Sequence, residues 1–235
     1  MSVPPRHQES LAVDALTHGP SASGADSSRG SGNGVESTSA IVIGTGLSGL
    51  AVAAELNRHG IRTVTVDGLE SSSPSTATSA LRVADLASSE SAEYLEVLRH
   101  LRKYATSHGL DVRHHVVARH LALVEGPAAA APARWAVRTD DGVVFADAVI
   151  LTRCAHNQLR RFLADLGYSL GDHLLEALAQ IGLYLVGITG LAAPSTREVL
   201  RQAKHVATEV AQREVAEHVV AEHGTQGASP GLQPA

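Results

Sequence analysis

The sequence predicts an α/β domain with a mainly parallel sheet, helices on both faces and an added antiparallel hairpin. Three observations carry that prediction. Short apolar and β-branched runs alternate with longer segments of helical period. A glycine-rich turn joins the first of these runs to the first helix. Late in the chain an Asp-Gly turn separates two runs of strand formers.

The elements follow in order. "AIVIG" is a short apolar strand, and "SGLAVAAELNRHG" is a helix ended by Gly60. "IRTVTVD" is a second strand, rich in β-branched residues. "LESSSPSTATSALRVADLASSES" has the composition of a loop. Residues 91–108 form a helix, with Tyr94, Leu95, Leu98, Leu101 and Tyr104 at helical spacing and Gly109 after it. "LDVRHHV" and "ARHLALVEG" read as extended segments, and "RWAVRTDDG" with "VVFADAVILT" reads as a hairpin. A helical stretch precedes a further buried strand, "GLYLVGI". An amphipathic helix closes the pattern, with Ser195 as N-cap and Glu198 completing a capping box. The expected domain is 39–222. Residues 1–38 and 223–235 are expected to be disordered tails, because Ser/Gly-rich segments bury too little to offset their ordering entropy.

Composition removes several classes of function. A net charge of −5 argues against a nucleic-acid surface or an anionic membrane as partner. The lone Cys154 excludes an internal disulfide framework, and no Cys/His group has metal-ligand spacing. The adjacent His114 and His115 face opposite sides of a strand and read as ordinary surface residues. No apolar run approaches the ~20 residues of a membrane helix, and the N-terminus lacks a signal-peptide layout. A cytoplasmic protein is expected.

The chemistry points to Gly44-Thr45-Gly46-Leu47-Ser48-Gly49, which fits G-x-G-x-x-G. The hexapeptide alone is a weak signal, but its context is a strand before and a helix starting within it. Asp67 then ends the second strand at the spacing of about 20 residues that a dinucleotide site requires. Gly44 permits the tight turn, Gly46 admits a pyrophosphate against bare backbone, and Gly49 lets helix and strand pack closely. The helix N-terminus offers unpaired N–H groups to the phosphates. Asp67 can accept from both ribose hydroxyls and disfavours a 2′-phosphate. Thr45, Leu47 and Ser48 complete the expected site. The motif by itself leaves FAD and NAD open.

Beyond the motif, "IVIGTGLSGLAVAAELNRHGIRTVTVDG" resembles the N-terminal FAD site of two-dinucleotide-binding-domain flavoproteins, especially flavin-containing monooxygenases. "YLEVLRHLRKYATSHGLDVR", "RWAVRTDDGVVFADAVILT" and "IGLYLVGI" before a long helix are similar to later segments of the same family, in the same order. The resemblance covers most of 39–218. It implies a Rossmann-like FAD-binding domain, FAD as cofactor with NAD as second choice, and redox chemistry carried by the flavin. It also brings Gly187, at the end of its strand, near the flavin and ribityl chain. In the family NADPH reduces FAD, and the reduced flavin then activates oxygen.

The departures are equally specific. Thr152-Arg153-Cys154 stands where the family has Ala-Thr-Gly beside the cofactor. "SSSPSTATSALRV" replaces the flavin-proximal segment after the second strand. Only Ala155 to Ile181 separates the "VIL" strand from "GLYLVG", which is too short for a second nucleotide domain, since one βαβ unit takes about 30 residues. The expectation is a monooxygenase-like FAD-binding oxidoreductase without its own NADPH domain, acting on an unidentified small molecule with a separate reductase or partner subunit. The alternative is a non-catalytic dinucleotide-binding or interaction module derived from such a flavoprotein, favoured by the 3% aromatic content. No catalytic residue can be assigned. Cys154, with Arg153 or His156 as neighbouring charge, reads as a buried thiol rather than a reactive one. His156, Asp172 and His173 lack any fixed geometry, and Trp135 and Tyr184 read as core.

Overall fold

The computed structural model describes residues 34–70, 89–124, 135–152, 154, 156–168, 173–188 and 194–224. The expected tails therefore fall largely outside the described residues, as do the loop at 71–88, Arg153 and Asp172.

Six strands and five helices follow the expected alternation: β1 Gly34–Ile43, α1 Leu47–Arg58, β2 Thr63–Leu69, α2 Ser89–Ser107, β3 Asp111–Leu123, β4 Trp135–Thr139, β5 Gly142–Leu151, α3 His156–Asp165, α4 Leu174–Gln180, β6 Leu183–Leu185 and α5 Thr196–Gly224. β1 is central. β2 and β3 extend the sheet on one side of it and β5 and β6 on the other, all in parallel. β4 runs antiparallel to both β3 and β5, so hydrogen bonding closes a ring through β1, β2, β3, β4 and β5, with β6 outside it.

Strand alternation divides the core in two. Ala40, Val42, Ala148, Ile150, Tyr184 and Val186 face α1, α2 and α5, where they meet Leu50, Leu98 and Val206. Their neighbours Ile41, Ile43, Val149, Leu151, Leu183 and Leu185 face the other way, onto Trp135 and Val137 of β4 and onto Leu163 and Leu178 of α3 and α4. Each such aliphatic side chain contributes about 1.5–3 kcal/mol by leaving water. Continuous apolar runs thus mark strands covered on both faces. Trp135 and Tyr184 are core residues, as expected.

Local signals locate the ends of the elements. Gly60 takes φ +76° after α1, its N–H reaches the Asn57 carbonyl, and Ile61 N–H reaches the Leu56 carbonyl. Ser195 Oγ accepts from Glu198 N–H at 3.3 Å, which is half of the capping box. The Glu198 carboxylate turns instead to Arg201 and Gln202.

Three boundaries differ from expectation. β1 begins at Gly34, because its polar first half pairs with β5 from Gly34↔Gly142 onward. Backbone pairing needs no apolar side chains there. The two extended segments at 110–125 are one strand, β3, interrupted by a bulge. The apolar stripe of α2 is core only from Leu98; Tyr94 and Leu95, about one turn nearer the helix start, are 36% and 52% exposed.

Candidate functional site

The glycine turn connects β1 to α1 at the carboxyl ends of the parallel strands, where α/β sheets bind their ligands. Gly44 has φ +127°, which an L side chain rarely adopts, and its N–H bonds to the Val66 carbonyl at 2.7 Å. Gly49 is buried in α1, where a Cβ would stand 1.7 Å from the Gly44 carbonyl oxygen. Gly46 differs from both. It is the N-cap of α1, it is exposed, and a Cβ there would meet nothing within 4 Å. No side chain caps α1, so its first-turn N–H groups remain free to bind an anion.

Asp67 lies near the end of β2, where the sequence places a ribose contact. Thr45 Oγ1 donates to its Oδ1, and the His115 backbone N–H donates to Oδ2 at 2.9 Å. Partial burial raises the carboxyl pKa, but these two bonds and the neighbouring His114 and His115 outweigh it, so the pKa is lowered overall. The carboxylate is fixed and ionised.

A cleft of about 220 Å³ opens beside the turn. Gly46, Leu47, Ser48, Tyr94, Thr152 and Gly187 are among the residues that line it. Gly187 has φ +77°, and a Cβ on it would stand 2.8 Å from Ser48 Oγ. Its N–H donates to Gln202 Oε1 at 2.9 Å. Thr152 Oγ1 and N–H both bond to the Ile43 carbonyl, at 3.0 and 2.9 Å. The geometry therefore joins Gly46, Leu47, Ser48 and Gly187 in one cleft and couples Thr45 to Asp67.

The other candidates lie elsewhere. Cys154 packs against the β4-side core, and burial pushes its thiol up to about 11. His173 is exposed and 3.2 Å from Glu176 on the surface. Sequence reasoning missed Thr152 and Tyr94 as lining residues. Thr152 was marked only by its departure from the family pattern, and Tyr94 was absorbed into the α2 stripe. Among the described residues no cluster of His, Cys, Asp and Glu could hold a metal, and no helix is long and apolar enough to cross a membrane.

The residues fit FAD at its adenosine and pyrophosphate end: an open, Cβ-free approach at Gly46, an uncapped helix start and a fixed carboxylate. Comparison with known proteins agrees. Residues 37–137 match the family model described as FAD binding domain. No curated protein matches the chain. The crystal structure of Thermovibrio ammonificans THI4 is similar in fold, with a TM-score of 0.52 at 15% identity, over 76% of this chain and 90% of that one. A geranylgeranyl bacteriochlorophyll reductase-like protein from Thermoplasma acidophilum has a TM-score of 0.45 at 13% identity, over 81% and 84% of the two chains. A mutant flavin monooxygenase from Stenotrophomonas maltophilia has a TM-score of 0.32 at 21% identity, over 50% of this chain and 38% of that one. Only the first is near enough to bear on the fold. Residues 37–137 are thus similar to an FAD binding domain, and the chain shares the α/β fold of the THI4 structure.

Proposed function

We propose that the chain is a minimal, monooxygenase-like FAD-dependent oxidoreductase that draws electrons from a separate reductase or partner subunit. The observation that carries this reading is the glycine cradle coupled to Asp67, together with what lies between β5 and β6. That interval holds the short helices α3 and α4, where a two-domain flavoprotein would insert its second nucleotide fold. Gly44, Thr45, Gly46, Leu47, Ser48, Gly49 and Asp67 hold the adenosine and pyrophosphate, and Gly187 lies along the ribityl path. FAD, when bound, supplies the redox chemistry, and this chain supplies binding, orientation and exclusion of water. The substrate is a small molecule; neither nucleic acid nor membrane is a partner.

Two measurements test this. The purified protein should show oxidised-flavin absorbance near roughly 375 and 450 nm. In anaerobic stopped-flow, the flavin should not be reduced rapidly by NADPH alone. Saturable reduction at micromolar NADPH would overturn the need for an external donor.

A second reading, a non-catalytic dinucleotide-binding module, is favoured by two specific features. The Gly187 N–H is already taken by Gln202, and Thr152 stands where the family has a smaller residue. A flavin that binds but is reduced by no donor, photochemical reduction included, would favour that module.

A further inference from the structure

The ladder between β2 and β3 breaks at one place. Val66 pairs with Arg113 and Gly68 pairs with Val117. Asp67 alone on β2 therefore faces His114, His115 and Val116 on β3. His115 has φ +67°, and no other non-glycine residue among those described has a positive φ. Such strain persists only where the surroundings fix it, and bulges next to binding sites commonly re-aim a polar group.

Both flanks of this bulge are fixed. Upstream, Arg113 bonds to Asp111 at 2.7 Å and to Glu36 at 2.8 Å. Downstream, Asp140 accepts from Val117 N–H at 3.3 Å and from Arg119 Nε at 2.5 Å, and Arg119 also reaches Glu70. What the bulge achieves is a single contact, the His115 N–H on Asp67 Oδ2. A regular strand would direct the N–H groups here along the ladder instead.

An ionised carboxylate has about four acceptor positions, two on each oxygen. Thr45 occupies one on Oδ1 and His115 one on Oδ2. Among the described residues no other donor reaches either oxygen, so one position on each is left for two vicinal hydroxyl donors. A 2′-phosphate offers no such donor and brings roughly −1.5 to −2 of charge against the carboxylate. We propose that the 114–116 bulge is the specificity-determining element of the dinucleotide site, positioning Asp67 through the His115 N–H so that an adenosine with a free 2′-hydroxyl is accepted and a 2′-phosphorylated one refused. The proposal rests on the FAD reading, of which it specifies the adenosine end.

The test uses the full chain, with ADP-ribose and its 2′-phosphate as probes that differ only at that position. By calorimetry at pH 8, wild type should prefer ADP-ribose by about tenfold to a hundredfold, the range for a lost hydrogen bond to a charged group. His115→Gly keeps both the N–H and the positive φ, and should retain that preference. His115→Val disfavours the positive φ, so the N–H should leave Asp67 and the preference fall to within about threefold. Thermal melting establishes that each variant is folded. If His115→Val does not fold, Thr45→Val reads the other arm of the clamp, with ADP-ribose binding expected to weaken several-fold. A merely structural bulge would change melting temperature without changing the ratio between the two probes. An unchanged ratio in folded His115→Val, or unchanged binding in Thr45→Val, overturns the proposal. If FAD binds wild type but the two probes bind equally, the proposal falls and the FAD reading stands. If neither FAD nor ADP-ribose binds, both fall.

Discussion

The two ends of the proposed cofactor path are built to different standards. At the adenosine end, every glycine has a separate physical reason and Asp67 is held by two donors. At the flavin end stand Thr152 and a Gly187 whose N–H is already occupied. The cleft that joins them to the glycine turn, about 220 Å³, is smaller than the ~300–1,000 Å³ typical of sites that enclose a whole small molecule. Under the proposed function, binding and chemistry are encoded in separable parts of the chain. The binding half is shared by the packing of β1, α1 and β2, so the fold itself preserves it. The chemical half depends on loops and strand ends, which can change without disturbing the core.

The adenosine end can be broken most severely at Gly49. Gly49→Ala places a Cβ where the Gly44 carbonyl oxygen stands, and neither backbone can retreat without moving α1 off the sheet. A loss of about 3 kcal/mol or more is expected, at the upper end of overpacking costs. Chemical denaturation measures it; a loss under about 1 kcal/mol would mean that α1 does not pack this closely.

Gly46→Ala separates ligand from fold at the same turn. Its Cβ enters open space, so stability should stay within about 0.5 kcal/mol of wild type. The proposed function puts the pyrophosphate in that space. Wild type should gain about 2.7 kcal/mol when free FAD is a hundredfold above its Kd, and Gly46→Ala should gain none. Thermal melting across an FAD titration makes the comparison. If neither protein is stabilised by FAD, NAD or NADP, the cradle is vestigial.

Asp67→Ala tests the ribose contact directly. FAD binding should weaken by about 1.5–3 kcal/mol, and calorimetry giving unchanged affinity would remove Asp67 from the site. Because the folded pKa of Asp67 is lowered, its contribution to stability is present above its unfolded value of 3.8 and is lost as pH falls through the lower folded value.

This asymmetry also explains what could be read in the sequence. The α/β order, the glycine turn and the Asp-Gly hairpin follow local rules of period and turn chemistry, so they are visible residue by residue. The two-faced strands show as unbroken apolar runs. The bulge at 114–116 does not show, because "RHHV" reads equally well as regular strand. It appears only in the pairing of β3 with β2, where it brings the His115 N–H to the distant Asp67. Likewise nothing in "LRQAK" signals that Gln202 reaches back to Gly187, since the contact depends on where α5 starts relative to β6. Tyr94 looks like part of a core stripe because helical period cannot tell the end of a stripe from its middle.

The smallest expected effect sharpens the comparison from the flavin end. Cys154 follows β5 at the place where the family approaches its cofactor, yet it is packed into the β4-side core. Burial raises its pKa from 9.0 to about 11, because the thiolate would lose water. At neutral pH it should carry on the order of a hundredfold less thiolate than an ordinary cysteine and react with iodoacetamide correspondingly slowly. The same shift has a consequence for stability. Below pH 9.0 the thiol is protonated whether the chain is folded or not, so it contributes no pH dependence. Between 9.0 and about 11 the unfolded chain releases the proton while the folded chain keeps it, so stability falls as pH rises. Cys154→Ala should lack that part of the fall, and denaturation midpoints of the two proteins between pH 8 and about 11 isolate it from the titration of other groups. A thiol alkylated at pH 7 as fast as free cysteine would show instead that the flavin end is open and chemically active.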